Sequence, residues 1–85
     1  MKSFDYVLKM KEGLHAKPAM MLSKLAMTLK GSIVVRKRNM KANAKNMSAL
    51  LTLRAYQGEE VIFEVTGENE DEDIKKIKEF CERNL

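Results

Sequence analysis

The spacing of apolar residues switches along the chain between alternation and helical periodicity, and the order of these switches limits the possible folds most. Alternation favours strands buried on one side, and spacings of three and four residues favour amphipathic helices. Strands are predicted at four alternating segments: Lys2–Leu8, Ile33–Lys37, Met40–Ala44 and Val61–Thr66. Helices are predicted at Ala16–Leu29, at Met47–Leu53, and from the acidic stretch after Asn69 to the C-terminus.

This order, β-α-β-β-α-β-α, predicts an α+β fold. Because the strands alternate, one face of their sheet contacts water. This favours a four-stranded antiparallel sheet with three helices packed on the other face. The 85 residues suffice for one modest core, so we expect a single domain over residues 1–85. A domain of this size leaves little room for a deep cleft, and any function is expected on the surface.

Residues that start or stop helices support the assignment. Pro18 fits only the first turn of a helix, where its missing N–H is not needed. Gly31 is expected to end that helix, and Asn46 is expected to cap the short second helix. Asn69, with Glu72 three residues later, has the form of a capping box at the start of the last helix.

Composition excludes several classes of protein. Apolar residues make up 45% of the chain and charged residues 33%, which is typical of a folded globular protein. Cys81 is the only cysteine, so no intrachain disulfide or cysteine-based zinc site can form, and we expect it in the core. No metal ion or other cofactor is expected. The chain has no signal-peptide pattern and no apolar run near the ~20 residues that cross a bilayer, so we expect a cytoplasmic protein.

The charges are unevenly distributed. Residues 1–54 contain twelve Lys and Arg against two acids, whereas residues 55–85 contain four Lys and Arg against ten acids. This asymmetry indicates a basic face that attracts an anionic partner. A solvated surface without any partner would explain the same pattern equally well.

His15 is the only histidine, and it directly precedes the predicted start of the first helix. The first turn of a helix exposes N–H groups without partners and carries partial positive charge, so it attracts phosphate. Lys17 adds a full positive charge beside it. Because a neutral imidazole is a nucleophile, these residues together fit reversible phosphorylation. On residue type alone, a lone surface histidine is more often inert.

The segment Gly13-Leu14-His15-Ala16-Lys17-Pro18-Ala19 resembles the active-site signature of the histidine-containing phosphocarrier protein (HPr) family of the bacterial sugar phosphotransferase system. In that family the motif reads Gly-(Leu/Ile)-His-x-Arg-Pro-Ala, and the resemblance extends over essentially the whole chain. It implies an open-faced β-sandwich. It also implies that His15 accepts a phosphoryl group on Nδ1 from phosphorylated enzyme I and passes it to the IIA domain of a sugar permease.

The resemblance assigns roles to the neighbours of the histidine. The Ala16 amide and the Lys17 ammonium would hold the phosphoryl group, and Pro18 would start the helix. Lys17 departs from the family, since it replaces an arginine whose planar fork grips phosphate with two bonds. Glu12 is a second departure, because its carboxylate would oppose an incoming phosphate unless Lys17 neutralises it.

Partner contacts are expected around the histidine on the first two helices. Flexible methionines suit a surface that recognises several partners, and lysines steer acidic partners towards it. The expected partner-binding residues are Met20, Lys24, Lys45, Met47 and Leu51.

A third departure from the family concerns regulation. Asn46 occupies the position where many relatives carry a serine that a kinase phosphorylates, so we expect that regulatory switch to be absent. The nearby Ser48 is not expected to replace it. Arg54 stands where the family usually ends the second helix with glycine, so the helix ends differently there or the Arg54 backbone is strained.

Three other functions compete with the carrier. An HPr-like regulatory module would dock on a metabolic enzyme or a transcription factor, with little or no role in sugar transport. A nucleic-acid binder is disfavoured because the exposed strand positions offer no aromatic platform for base stacking. An independent enzyme is disfavoured because the chain has one nucleophile and no paired acid and base. We therefore expect a monomeric carrier that binds neither nucleic acid nor membrane.

Overall fold

The computed structural model describes residues 1–85 and gives four strands and three helices in the predicted order. The strands are β1 (Lys2–Val7), β2 (Ser32–Lys37), β3 (Met40–Asn43) and β4 (Glu60–Thr66). The helices are α1 (Ala16–Met27), α2 (Met47–Thr52) and α3 (Glu70–Asn84). The predicted element order and fold class are confirmed, and the bounds of the elements differ from the predicted ones by two residues or fewer.

The four strands form one antiparallel sheet in the order β1-β4-β2-β3. The register places Phe4 opposite Phe63, and their rings stack with centroids 5.1 Å apart. Val35, on β2, is the partner of Phe63 on the other side of β4. The alternating pattern of each strand therefore brings the apolar side chains of neighbouring strands onto one face.

The helices cover this apolar face and enclose a core of 21 buried residues. Alternation predicts the same inward residues on β2, β3 and β4 that the structure buries, namely Ile33, Val35, Ala42, Val61, Phe63 and Val65. Helical spacing predicts a buried stripe on the first helix of Pro18, Leu22, Leu25, Ala26 and Leu29. The buried set of the helix differs slightly from that stripe, because Leu25 is only partly buried while Ala19 and Ser23 are buried. Cys81 is fully buried as expected, and burial raises its pKa to about 12. No helix has both the length and the apolar character needed to span a membrane.

At two helix boundaries, the residue that was predicted to end or cap the helix does not do so. The first helix ends at Thr28 in ordinary helical geometry, whereas Gly31 is needed because a Cβ there would lie 2.7 Å from the Thr66 carbonyl oxygen. Asn69 makes no side-chain cap hydrogen bond. Instead, Oε1 of Glu70 accepts a hydrogen bond from the Gly67 amide at 3.3 Å. A contact between distant segments thus explains Gly31, whereas the bond that replaces the predicted Asn69 cap is local and spans three residues.

Candidate functional site

His15 occupies the N-cap position of α1. Its backbone is extended (φ −92°, ψ −171°), and its carbonyl accepts a hydrogen bond from the Ala19 amide at 2.9 Å. The imidazole makes no cap hydrogen bond, and 41% of the side chain is exposed. The side chain is therefore free to react with a group that approaches from solvent.

The loop before His15 is held in place by backbone contacts. Gly13 has a positive φ of 63°, and a Cβ at this position would lie 2.5 Å from the Ala55 carbonyl oxygen. The same oxygen accepts a hydrogen bond from the Leu14 amide at 2.9 Å. Only glycine combines this conformation with this close approach, so Gly13 fixes the path along which the chain reaches His15.

The first turn of α1 provides an electropositive environment. It contains no acidic residue. The amides of Ala16 and Lys17 have no intrahelical acceptor, since the first turn of a helix cannot supply one, and Pro18 in the same turn has no N–H. Lys17 is exposed and forms no ion pair within 4.0 Å. The arrangement offers two amides and one ammonium group to an anion bound beside the imidazole.

Glu12 lies on the other side of the imidazole. Its Oε2 atom is 3.8 Å from Nδ1 of His15, and 73% of its side chain is exposed. The opposing carboxylate expected from the sequence is therefore next to the ring nitrogen that would carry the phosphoryl group. Lys17 does not neutralise it by a direct ion pair.

The helices α1 and α2 pack side by side and expose apolar residues near the site. Met20, Met47 and Leu51 are 42%, 37% and 36% exposed, and we call these three residues the docking patch. The Ser23 hydroxyl donates a hydrogen bond to the Lys45 carbonyl at 3.0 Å, which links the start of α2 to α1. Lys24, in the last turn of α1, is exposed.

Asn46 caps α2 as predicted. Its Oδ1 atom accepts a hydrogen bond from the Ala49 amide at 3.1 Å. Ser48 is exposed within the first turn of the helix. Arg54 has a positive φ of 49°, so the strained backbone expected at this position is present. Lys37 stabilises it, because its ammonium donates a hydrogen bond to the Arg54 carbonyl at 2.6 Å.

Sequence patterns did not identify the residues that α3 contributes to the site. His15, Glu12 and Lys17 line a shallow depression of about 270 Å³, and Arg83 and Asn84 from the last turn of α3 line it as well. Nearly seventy residues separate the two walls in the sequence. No local pattern links them, so only the packing of α3 could reveal that they share one site.

The chain is similar to known proteins over nearly its whole length. A family model described as "PTS HPr component phosphorylation site" matches residues 2–83. The HPr-like protein Crh of Bacillus subtilis (strain 168) is 28% identical over 78 residues, covering 92% of this chain and 92% of Crh.

Two solved structures from Thermoanaerobacter tengcongensis resemble the fold at 35% sequence identity. The structure of HPr-C-His has a TM-score of 0.91 and covers 96% of this chain and 92% of that chain. The structure of an HPr dimer has a TM-score of 0.76 and covers 98% of this chain and 95% of that chain.

Proposed function

The chain belongs to the HPr family of phosphocarrier proteins, and we propose that it carries a phosphoryl group on Nδ1 of His15 between larger partner proteins. The observation that carries this proposal is the position of His15. It combines a partly exposed imidazole with the amino end of α1, where Ala16 and Lys17 offer amides and an ammonium group. On this proposal the chain is a carrier that partner proteins load and unload, without a substrate of its own.

In the loading step, the Nδ1 lone pair attacks phosphorus in the phosphorylated donor. The Nδ1–P bond forms as the bond between phosphorus and the donor atom breaks, and the donor retains that electron pair. The amides of Ala16 and Lys17 and the Lys17 ammonium would stabilise charge on the phosphoryl oxygens. Unloading is the same reaction in reverse, with an acceptor protein in place of the donor.

The donor we propose is phosphorylated enzyme I, and the acceptors are IIA domains of sugar permeases. The docking patch would provide the apolar contact with both, while Lys24 and Lys45 would attract their acidic surfaces. We place this exchange in the cytoplasm and expect the chain to act as a monomer. Light scattering tests the last point, since a mass of two chains at working concentration would contradict it.

The decisive experiment is incubation with enzyme I and phosphoenolpyruvate. We expect acid-labile phosphate on the wild-type chain and none on His15→Ala. A far-ultraviolet circular dichroism spectrum shows whether the variant remains folded. If the wild-type chain stays unlabelled while a known HPr is labelled in the same mixture, the carrier function is wrong.

A regulatory docking module is the second candidate, and the similarity to Crh favours it. Here Met20, Met47 and Leu51 would bind a metabolic enzyme or a transcription factor without phosphoryl transfer. Because Asn46 has no hydroxyl group, a kinase could not control this binding at that position. The labelling experiment separates the two candidates, since an unlabelled but folded chain would leave the docking module as the better explanation.

A further inference from the structure

The last turn of α3 forms one wall of the depression that holds His15. Arg83 and Asn84 line it from this side, opposite Glu12 and Lys17. Arg83 forms no ion pair within 4.0 Å. The side chain is exposed at the edge of this depression, so its guanidinium has no carboxylate partner and is available to an anion there.

Contacts on both sides of Arg83 fix its backbone beside the site. The Leu85 carbonyl oxygen accepts hydrogen bonds from the amides of Lys9 and Met10, at 2.6 Å and 2.9 Å. The Leu85 side chain is fully buried. One turn earlier, the Tyr6 hydroxyl donates a hydrogen bond to the Cys81 carbonyl at 2.8 Å. These bonds attach the end of α3 to β1 and to the loop that leads to His15, so Arg83 cannot move away from the depression without breaking them.

The first helix provides no guanidinium group that could hold the phosphoryl group with two hydrogen bonds. Lys17 supplies a compact point charge, whereas a phosphoryl group is held most firmly by a planar fork that donates two parallel hydrogen bonds. Glu12 places a negative charge next to Nδ1. A second cation on the far wall would offset that charge and could supply the fork that Lys17 lacks.

We propose that Arg83 binds the phosphoryl group on His15 through its guanidinium and thereby supplies the bidentate contact that the first helix does not offer. The proposal rests on the carrier function given above. In the unloaded protein Arg83 projects into solvent, and on loading it turns towards the phosphoryl oxygens while its backbone stays fixed. Arg83 is on this proposal a catalytic residue of the carrier, contributed by the opposite end of the chain.

The test compares Arg83→Gln with Lys75→Gln, which removes the same charge from an exposed position earlier on α3. Each protein is equilibrated with enzyme I and a fixed mixture of phosphoenolpyruvate and pyruvate. For Arg83→Gln we expect the ratio of phosphorylated to free protein to fall about five-fold, the scale of a partly exposed ion pair. Lys75→Gln should match the wild type, and Arg83→Lys should fall between, since it keeps the charge and loses the fork.

A second measurement does not depend on any partner. Phosphoramidate, a small phosphoryl donor, loads the imidazole chemically, and phosphorus NMR then follows the ionisation of the phosphoryl group. Because a nearby cation stabilises the dianion, the midpoint of this titration should move to higher pH in Arg83→Gln and stay unchanged in Lys75→Gln.

The outcomes separate the two proposals. If enzyme I fails to label the wild-type chain but the titration shift appears after chemical loading, the carrier function fails and the Arg83 contact stands. If labelling succeeds and Arg83→Gln behaves as Lys75→Gln does in both measurements, the Arg83 contact is wrong and the carrier function stands. If neither donor loads the wild-type imidazole, both are wrong.

Discussion

Glu12 provides the sharpest test of the site's electrostatics. Its Oε2 atom lies 3.8 Å from Nδ1 of His15, and a phosphoryl group on that nitrogen brings a charge of about −1.5 to −2 into the same space. Replacing the carboxylate by the isosteric amide in Glu12→Gln removes the repulsion and changes little else. We therefore expect the variant to hold the phosphoryl group more strongly than the wild type.

The size of the effect follows from the distance and the exposure. Two unit charges 4 Å apart interact with ~1 kcal/mol in bulk water, so a nearly divalent phosphoryl group would be repelled by ~2 kcal/mol at the dielectric constant of water. Because 73% of the Glu12 side chain is exposed, it can rotate away and is screened by salt, which lowers the value. An effect of ~1 kcal/mol corresponds to a ratio of phosphorylated to free protein about five-fold higher.

The assay uses catalytic enzyme I with a fixed mixture of phosphoenolpyruvate and pyruvate, and it measures acid-labile phosphate at equilibrium. Glu68→Gln is the matched control, because it makes the same charge change on an exposed residue that precedes α3, whereas the depression is lined by the last turn of that helix. The gain in Glu12→Gln should shrink as salt is added, since screening weakens the repulsion it removes. An unchanged or lower phosphorylated fraction in Glu12→Gln would refute the reasoning.

Three further variants test other parts of the structure. Gly13→Ala places a Cβ 2.5 Å from the Ala55 carbonyl oxygen at a positive φ, so urea unfolding should show a loss of about 1–3 kcal/mol. Hydrogen bonds from a backbone amide and a lysine lower the pKa of Glu59 below its ordinary 4.5. The ionised Glu59 carboxylate therefore stabilises the fold above pH 4.5, and this contribution is lost as pH falls below that value. On acidification, the melting temperature of Glu59→Gln should consequently decrease less than that of the wild type. Met47→Glu should slow transfer from enzyme I about ten-fold by disrupting the docking patch, whereas Met40→Glu should not, since Met40 is also exposed (47% against 37% for Met47) but lies on the β2–β3 hairpin. Equal rates in these last two variants would mean that the docking patch is not the contact surface.

Local patterns in the sequence predicted most of the fold because its elements are short and clearly patterned. The alternation in β4 places Val61, Phe63 and Val65 on one face, and all three are fully or almost fully buried. Asn46 caps α2 through a hydrogen bond within three residues, so a local signal was sufficient to predict it. In these two elements the stabilising contacts match the local pattern, and pattern and structure agree.

Contacts between distant segments explain another departure from the local pattern. The acidic run Glu68–Asp73 predicts a solvated helix start, but Asp73 is 3% exposed and its Oδ2 atom has no hydrogen-bond partner. The end of β4 and the loop before β2 come together around it, since a Cβ on Gly31 would lie close to both Thr66 and the Asp73 carboxylate. A charge pattern cannot show that a helix start is covered, because the covering residues come from elsewhere in the chain.

The functional site combines both kinds of information. The wall that contains His15 and Lys17 is one continuous segment, so a short motif and a helix start were sufficient to place these residues together in a candidate site. The wall that contains Arg83 is placed there by bonds from Leu85 to the loop before the histidine, and those bonds are tertiary. A motif comparison therefore registers Lys17 as a departure from the family arginine but does not register an arginine on α3. If Arg83 binds the phosphoryl group, the site obtains its guanidinium from the other end of the chain, and Lys17 needs to provide only positive charge.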